Sequence, residues 1–461
     1  MKRNLSIFLL VLIILLAIIS HFTFLSERIL HHDEGVNYFF TQGIFENKVF
    51  IYNPLNYHGP FYFYLIFLSF ILFGVSEFAL RFPATLFGLL LVFLPFIFKI
   101  REKKEIYLAS IFLLLSPSLT YYSRYSIHEI VFVFFTILAV YYLTLLLHKK
   151  DLKYLPMFSM AFAFMFTLKE TAIIPAFIFF IIILLNFKNL KAINFKDESE
   201  VLLKSLFIFM LIYVLFFTGF GLNPQGLTDS FKGFLPWVER GVTEIGHDKP
   251  FFFYSKILIT YEWPILLFSL AGLFYSFKNK KDSFAFNFSI FFILQFLIYS
   301  LISYKTPWLI INLVAPMAIV ASIGFTRIKS KSKYLLLSIG ILYLLSLVIY
   351  TNFINPSGEK NTFAYVHTDN DILNLVEKLN ENYKEGDKIL ILSNEYWPLP
   401  FYLHGKDVNY LDEESLNNYN NLTEYNLLIY NKNNFNPQNL NLSQYWQYKL
   451  RDGVELVLVK N

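Results

Sequence analysis

Long apolar runs separated by short polar or basic connectors dominate the first three quarters of this chain. The first extends from about Leu5 to Ile19 and on through Phe22 to Leu25; others lie near 79–98, 106–122, 130–147, 154–168, 171–187, 205–221, 257–277, 284–303, 308–325 and 334–351. Runs of about 17–22 apolar residues match a bilayer core of roughly 30 Å, so the pattern predicts about eleven transmembrane helices, the first of them uncleaved. The run Phe61 to Phe73, after His58-Gly59-Pro60, is only about 13 residues long, a length suited to an interfacial helix. Past Thr351 the pattern changes. Ile372, Leu375, Val376 and Leu379 at helical spacing predict an amphipathic helix over Asp371 to Tyr383. Lys388 to Leu392, Asn426 to Tyr430, Tyr445 to Leu450 and Val454 to Val459 read as strands, the last two joined by an Asp452-Gly453 turn. The expectation is a mainly α polytopic membrane domain over 1–351, with a first outer loop at about 26–78, followed by a small α/β domain over 352–461.

Charge placement orients these runs. If Phe61–Phe73 does not cross, Lys99-Ile100-Arg101 with Lys103-Lys104, His148-Lys149-Lys150, Lys188 to Lys204, Lys278 to Lys281 and Arg327 to Lys333 all share the side of Lys2-Arg3. That is the positive-inside pattern, with a cytoplasmic N-terminus. The other polar segments then gather on the outer face: Arg28 to Arg81, Ser123 to Glu129, Lys169-Glu170, Leu222 to Lys256, Lys305-Thr306-Pro307 and everything after Thr351.

Composition agrees. The chain has 461 residues, 56% hydrophobic and 16% charged, with mean hydropathy +0.49, well outside the range of soluble proteins. With no cysteine, disulfides, thiolate nucleophiles and Cys-ligated metals are excluded. The net charge of +5 does not suggest nucleic-acid binding, and no Walker loop, dinucleotide fingerprint or serine elbow occurs. The Asn-rich stretch from Asn417 to Asn441, with sequons at Asn421 and Asn441, reads as a solvated loop.

The densest polar group after an apolar run is His31-His32-Asp33-Glu34, and polarity beside a membrane is costly unless used. Asn37, Tyr38, Thr41 and Gln42 follow at helical spacings, so Asp33 and Glu34 open a short helix. Adjacent helical residues point about 100° apart, which favours Asp33 for chemistry and Glu34 for support. A helix cap with Asp33 as the cap residue stays open, as does a divalent metal site that would recruit His58 or Glu129. Arg124 and His128, four apart at an outer boundary, could hold an anionic group on one helical face, with interfacial snorkelling as the bland alternative. Arg81, Arg124, Lys169, Arg240 and Lys305 collect on the face that carries the acid pair, a cationic surround for a phosphate and a carboxylate base. Glu170 and Glu239 accompany Lys169 and Arg240.

The order of these motifs resembles the C-type (GT-C) glycosyltransferase superfamily, most closely its protein O-mannosyltransferase and lipid A aminoarabinose transferase branch. The resemblance is carried by His32-Asp33-Glu34-Gly35, Tyr57-His58-Gly59-Pro60-Phe61-Tyr62 through Phe73-Gly74, Arg81-Phe82-Pro83-Ala84, and Tyr122-Ser123-Arg124 with His128-Glu129. Thr167-Leu168-Lys169-Glu170-Thr171, Tyr304-Lys305-Thr306-Pro307-Trp308-Leu309 and Glu395 to Leu403 resemble an archaeal and bacterial subgroup labelled flippase-associated in N-glycosylation. Where that branch often has His-Pro-Pro, this chain has His58-Gly59-Pro60. The resemblance implies a hexosyl or pentosyl transferase. A polyprenyl-phosphate sugar enters from the membrane, and its sugar passes with inversion to a glycan, protein or lipid hydroxyl at the outer face. Asp33 would be the general base and Glu34 its support. Arg81, Arg124, Lys169 and Lys305 would bind the donor phosphate, and His32, His58, His128, Glu129, Glu170 and Arg240 would support the site or the acceptor. No cofactor is assigned with certainty, and a divalent metal ion is the one candidate. The alternative is a lipid-linked glycan flippase, or an accessory to one, using the same cations without bond chemistry.

Overall fold

The computed structural model describes residues 3–56, 58–193, 198–243, 247–412, 424–433 and 444–460, without the side chains at 3, 237 and 240–243. Tyr57, Lys2, the side chain of Arg240 and both sequons therefore lie outside the described residues. The chain divides into two compact units. The first comprises Met1–Leu25 with Gly43–Asn355, and the second Ser26–Gln42 with Pro356–Asn461.

The first unit is helical. It opens with α1 (Arg3–Phe22); α2 (His32–Asn47) and α3 (Phe61–Phe73) follow along the chain. Among the described residues, seven helices are long and apolar enough to cross a membrane, or up to nine if each of two bent pairs counts as one span. The two other runs expected to span correspond to the shorter apolar helices Leu152–Leu168 and Glu170–Leu185. This is an integral membrane protein.

Proline explains both bent pairs. Lys103–Leu115 and Pro117–Ser123 meet at 65°, with Ser116 extended at ψ 118° because the residue ahead of proline avoids the α region. Phe253–Tyr261 and Trp263–Lys278 meet at 107°, so the run expected as one span over 257–277 is two helices. The break falls on Glu262, immediately before Trp263-Pro264, where the ring suits a first helical turn but not the interior. The two breaks meet: the buried Glu262 carboxylate accepts from Ser116 Oγ at 2.7 Å, Ser118 Oγ at 2.6 Å and the Ser118 N–H at 3.1 Å.

The second unit is built on a five-stranded sheet. Its strands are β1 (Lys388–Leu392), β2 (Asp407–Leu411), β3 (Leu427–Asn431), β4 (Gln444–Arg451) and β5 (Val454–Lys460), in the order β2-β1-β3-β5-β4. β1 runs parallel to β2 and β3, while β5 is antiparallel to β3 and β4. Ile389 and Ile391 of β1, with Leu427, Ile429, Leu456 and Leu458, pack on Ile372, Leu375 and Leu379 of the helix Asp371–Asn382. The alternate residues Leu390, Leu392, Leu428, Tyr430, Val457 and Val459 form a second buried face with Tyr425. Burial on both faces is why β1 and β3 read as continuous apolar runs. β2 was not expected, since Asp-Val-Asn-Tyr-Leu offers little apolar signal.

Ser26–Gln42 joins this unit through apolar contact and hydrogen bonding. Ile29 is buried in the core beside Ile372 and Leu399, and the Leu30 N–H donates to Tyr402 Oη at 3.0 Å.

Candidate active site

α2 begins with an unusual cap. The His31 N–H donates to Glu34 Oε2 at 3.0 Å, and His31 Nδ1 accepts from the Asp33 N–H at 3.0 Å. His31 and Glu34 thus satisfy helix-start donors reciprocally, as in a capping box. The cap residue is His31, not Asp33 as the capping alternative supposed. Glu34 is fully buried, with Arg28 Nη2 at 3.6 Å. His31 Nε2 lies 2.9 Å from the Tyr365 carbonyl and must donate to it. These partners fix the tautomer and occupy both ring nitrogens, which removes His31 from the metal hypothesis. Burial, with His367 beside it, pulls the His31 imidazole down to about 3, so the ring is neutral.

Asp33 stays half-exposed at the first turn. Next to it His32 Nδ1 accepts from Arg451 Nη1 at 3.3 Å, and burial pushes this imidazole down to about 3 as well. Arg451 ends β4, its side chain only 10% exposed, with Glu395 Oε2 3.0 Å from Nη2; the charges of Glu395 and Asp33 act on it. The Trp397 ring lies 6.0 Å from His32, 5.6 Å from Phe39 and 4.9 Å from Tyr396. Gly35 makes this approach possible: a Cβ there would fall 2.7 Å from Pro398 Cα. The segment His32-Asp33-Glu34-Gly35 and the distant segment Glu395 to Pro398 therefore form one site within the second unit.

A second charged cluster lies in the first unit. Lys169 sits at an extended break between the helix Leu155–Leu168 and the short turn Glu170–Ala172, and its ammonium pairs with Glu129. His58 Nδ1 is 3.3 Å from Glu170 Oε2, and the His58 and His128 rings are 4.9 Å apart. Glu129, Lys169 and Glu170 are all buried. Gly59 docks this corner: its N–H donates to Leu168 O at 3.0 Å, and a Cβ would lie 2.2 Å from Thr167 O. Proline at this position would have neither the donor nor the room, which gives the His-Gly-Pro variant a physical reason.

The other expected phosphate ligands have partners in the main chain. Arg81 Nη1 donates to Leu25 O at 2.7 Å. Arg124 donates from Nη1 to Ser20 O at 2.9 Å and His21 O at 3.1 Å, and from Nη2 to Phe24 O at 3.2 Å, with Phe353 stacked 4.8 Å away. Arg124 satisfies carbonyls in the last turn of α1, where a helix leaves them orphaned and negative, while Arg81 holds the segment just beyond it. Lys305 Nζ binds Ile302 O, and Lys249 O at 3.0 Å. Arg124 and His128 do not share a helical face, because a tight turn, with Ile127 N–H to Tyr125 O at 2.8 Å, separates Pro117–Ser123 from Glu129–Lys149.

Residues 57–217 match the family described as dolichyl-phosphate-mannose-protein mannosyltransferase. Across 98% of this chain and 97% of theirs, two crystal structures of ArnT from Cupriavidus metallidurans share its fold. The one bound to undecaprenyl phosphate superposes with a TM-score of 0.74 at 14% identity, and the apo form with 0.72 at 13%. The chain has the GT-C glycosyltransferase fold. An Aquifex aeolicus (strain VF5) protein described as uncharacterized is 25% identical over 307 residues, 64% of this chain, and the match spans 59% of that relative's length.

Within this GT-C fold, sequence reasoning missed Arg451. It follows an ordinary alternating strand, and only the β4–β5 pairing brings it beside His32. Among the described residues, no group of three or more His, Asp or Glu is placed to hold a metal ion.

Proposed function

We propose that this GT-C protein transfers a sugar from a polyprenyl-phosphate donor to an acceptor hydroxyl by a single inverting displacement. The observation that carries the reading is Asp33, a half-exposed carboxylate at the start of a helix whose cap is built by its neighbours His31 and Glu34. As general base it removes the acceptor proton while the acceptor oxygen attacks the anomeric carbon and the lipid phosphate departs. Glu34 acts by fixing the first turn. Lys169, held between Glu129 and Glu170, is the cation proposed for the departing phosphate. Arg81, Arg124 and Lys305 act through the helix ends and loops they hold. His32, His58, His128, Glu129, Glu170 and Arg240 support the site. The positive-inside reading puts the N-terminus in the cytoplasm and the reaction at the outer face.

Transfer from synthetic polyprenyl-phosphate sugars by the purified protein, compared with Asp33→Asn, tests the proposal. The expected loss is about 10²–10⁴-fold. An undiminished rate excludes Asp33 as base, and glycan crossing of proteoliposomes without sugar transfer favours the flippase reading.

A further inference from the structure

The second unit carries more at Asp33 than one carboxylate needs. Trp397 is half-buried and Phe39 is 44% exposed, and the Trp397 ring is held by edge or tilted contacts with Phe39, His32 and Tyr396. Flanking the rings are Asp33, Glu395, Arg451 and the neutral His32, all tied into one network. Arg451 Nε is buried and, among the described residues, has no hydrogen-bond partner. Orphaned donors of this kind are rare, and call for a ligand or ordered water.

We infer that the Trp397–Phe39 ledge, with Glu395, Arg451 and His32, is a binding subsite for an uncharged carbohydrate, so that the acceptor is itself a glycan. The inference rests on the transferase reading, which leaves the acceptor unspecified, and narrows it to one class. Three features favour it. A pyranose offers an apolar face of C–H groups and a rim of hydroxyls, and a rigid indole beside planar donors and acceptors matches both. The charge balance disfavours an anion: Asp33 and Glu395 carry two negative charges against the single guanidinium of Arg451, with His32 neutral. A phosphorylated lipid headgroup would meet repulsion where a neutral sugar meets hydrogen-bonding groups. Finally, the ledge is preorganised, because the Gly35–Pro398 approach and the Arg451 Nη2 contact to Trp397 O at 3.5 Å hold the loop against the helix that carries Asp33.

The test measures binding without chemistry. Full-length protein in detergent is titrated with neutral di- and trisaccharides of glucose, mannose and galactose, by calorimetry and tryptophan fluorescence, in the absence of lipid donor. Saturable binding is expected, weakened at least about tenfold in Trp397→Ala, which is about 1.4 kcal/mol. Trp397→Phe, which keeps an aromatic face, is expected to stay within a few-fold of wild type, and both variants should melt as wild type does. The subsite is overturned if wild type binds none of the saccharides. It is also overturned if Trp397→Ala binds them unchanged, or if a Ser/Thr-containing peptide or a phosphorylated lipid headgroup displaces them from the ledge. Sugar transfer from the lipid donor is scored separately. Saccharide binding with no transfer overturns the transferase reading alone, while Asp33-dependent transfer with no Trp397-dependent binding overturns the glycan subsite alone.

Discussion

The two charged clusters of this molecule solve different problems with the same residue types. In the first unit, Lys169 sits between two buried carboxylates, and Arg81, Arg124 and Lys305 are committed to main-chain carbonyls. In the second unit, Glu34 and His31 are absorbed by the helix cap while their neighbour Asp33 keeps an exposed face. A charge near a membrane is thus no guide to its role until its partners are known. The ones that hold the scaffold are those whose loss would leave a partner buried and uncompensated.

That contrast can be broken experimentally. Its sharpest form sets Asp33→Asn, expected to lose about 10²–10⁴-fold in transfer with unchanged melting, against Lys169→Met, expected to destabilise the protein by about 3–5 kcal/mol. The reason for the second is that Glu129 would stay buried without its paired counter-charge, while Glu170 keeps His58. Thermal unfolding in detergent reads both, and a Lys169→Met protein as stable as wild type would dissolve the distinction. Next come the two close approaches. Gly59→Ala and Gly35→Ala each force a methyl into backbone at 2.2 Å and 2.7 Å, at a cost of about 1–3 kcal/mol. Limited proteolysis should report the loss in the helical unit for the first and in the sheet unit for the second.

A pH effect comes third and should be confined to the second unit. His31 and His32 are depressed from 6.5 to about 3, so between those values the folded state binds fewer protons than the unfolded one. Their contribution is complete above pH 6.5 and is lost as pH falls towards 3, at up to about 1.4 kcal/mol per pH unit for each ring. Denaturant unfolding of His31→Gln should show a shallower pH slope than wild type, and an equal slope would remove His31 from the effect. The smallest change is Arg124→Lys, expected to cost about 1 kcal/mol because an ammonium cannot reproduce a fork shared among three carbonyls.

Much of this organisation was legible in the sequence, because lipid and sheet both impose simple periods. The helices, the strands β1, β3, β4 and β5 and the Asp452-Gly453 turn follow from apolar length, alternation and turn chemistry. The bends were harder: Ser116-Pro117 and Trp263-Pro264 sit inside apolar runs, and hydropathy does not register a proline that ends one helix and starts another. Within the candidate site, Asp33 and Glu34 could be singled out, but their division of labour depends on which carboxylate reaches the His31 N–H. Arg451 and Trp397 carried no local mark of proximity to Asp33, since that proximity is made by strand pairing and by the fit of Gly35 against Pro398.

The way Ser26–Gln42 is held also bears on how the protein is made. This segment leaves the ribosome early, yet the Tyr365 carbonyl that orients His31 is 334 residues downstream and the Tyr402 hydroxyl that anchors Leu30 is 372 downstream. Contacts of such sequence separation form late. During synthesis the start of α2 therefore lacks its oriented cap, and Asp33 its surroundings, until the sheet has folded. A chain interrupted in its last quarter would insert its helices but leave that corner unfinished. The fold thereby makes completion of the polypeptide a condition for assembling the site, a checkpoint written into connectivity rather than into any single interaction.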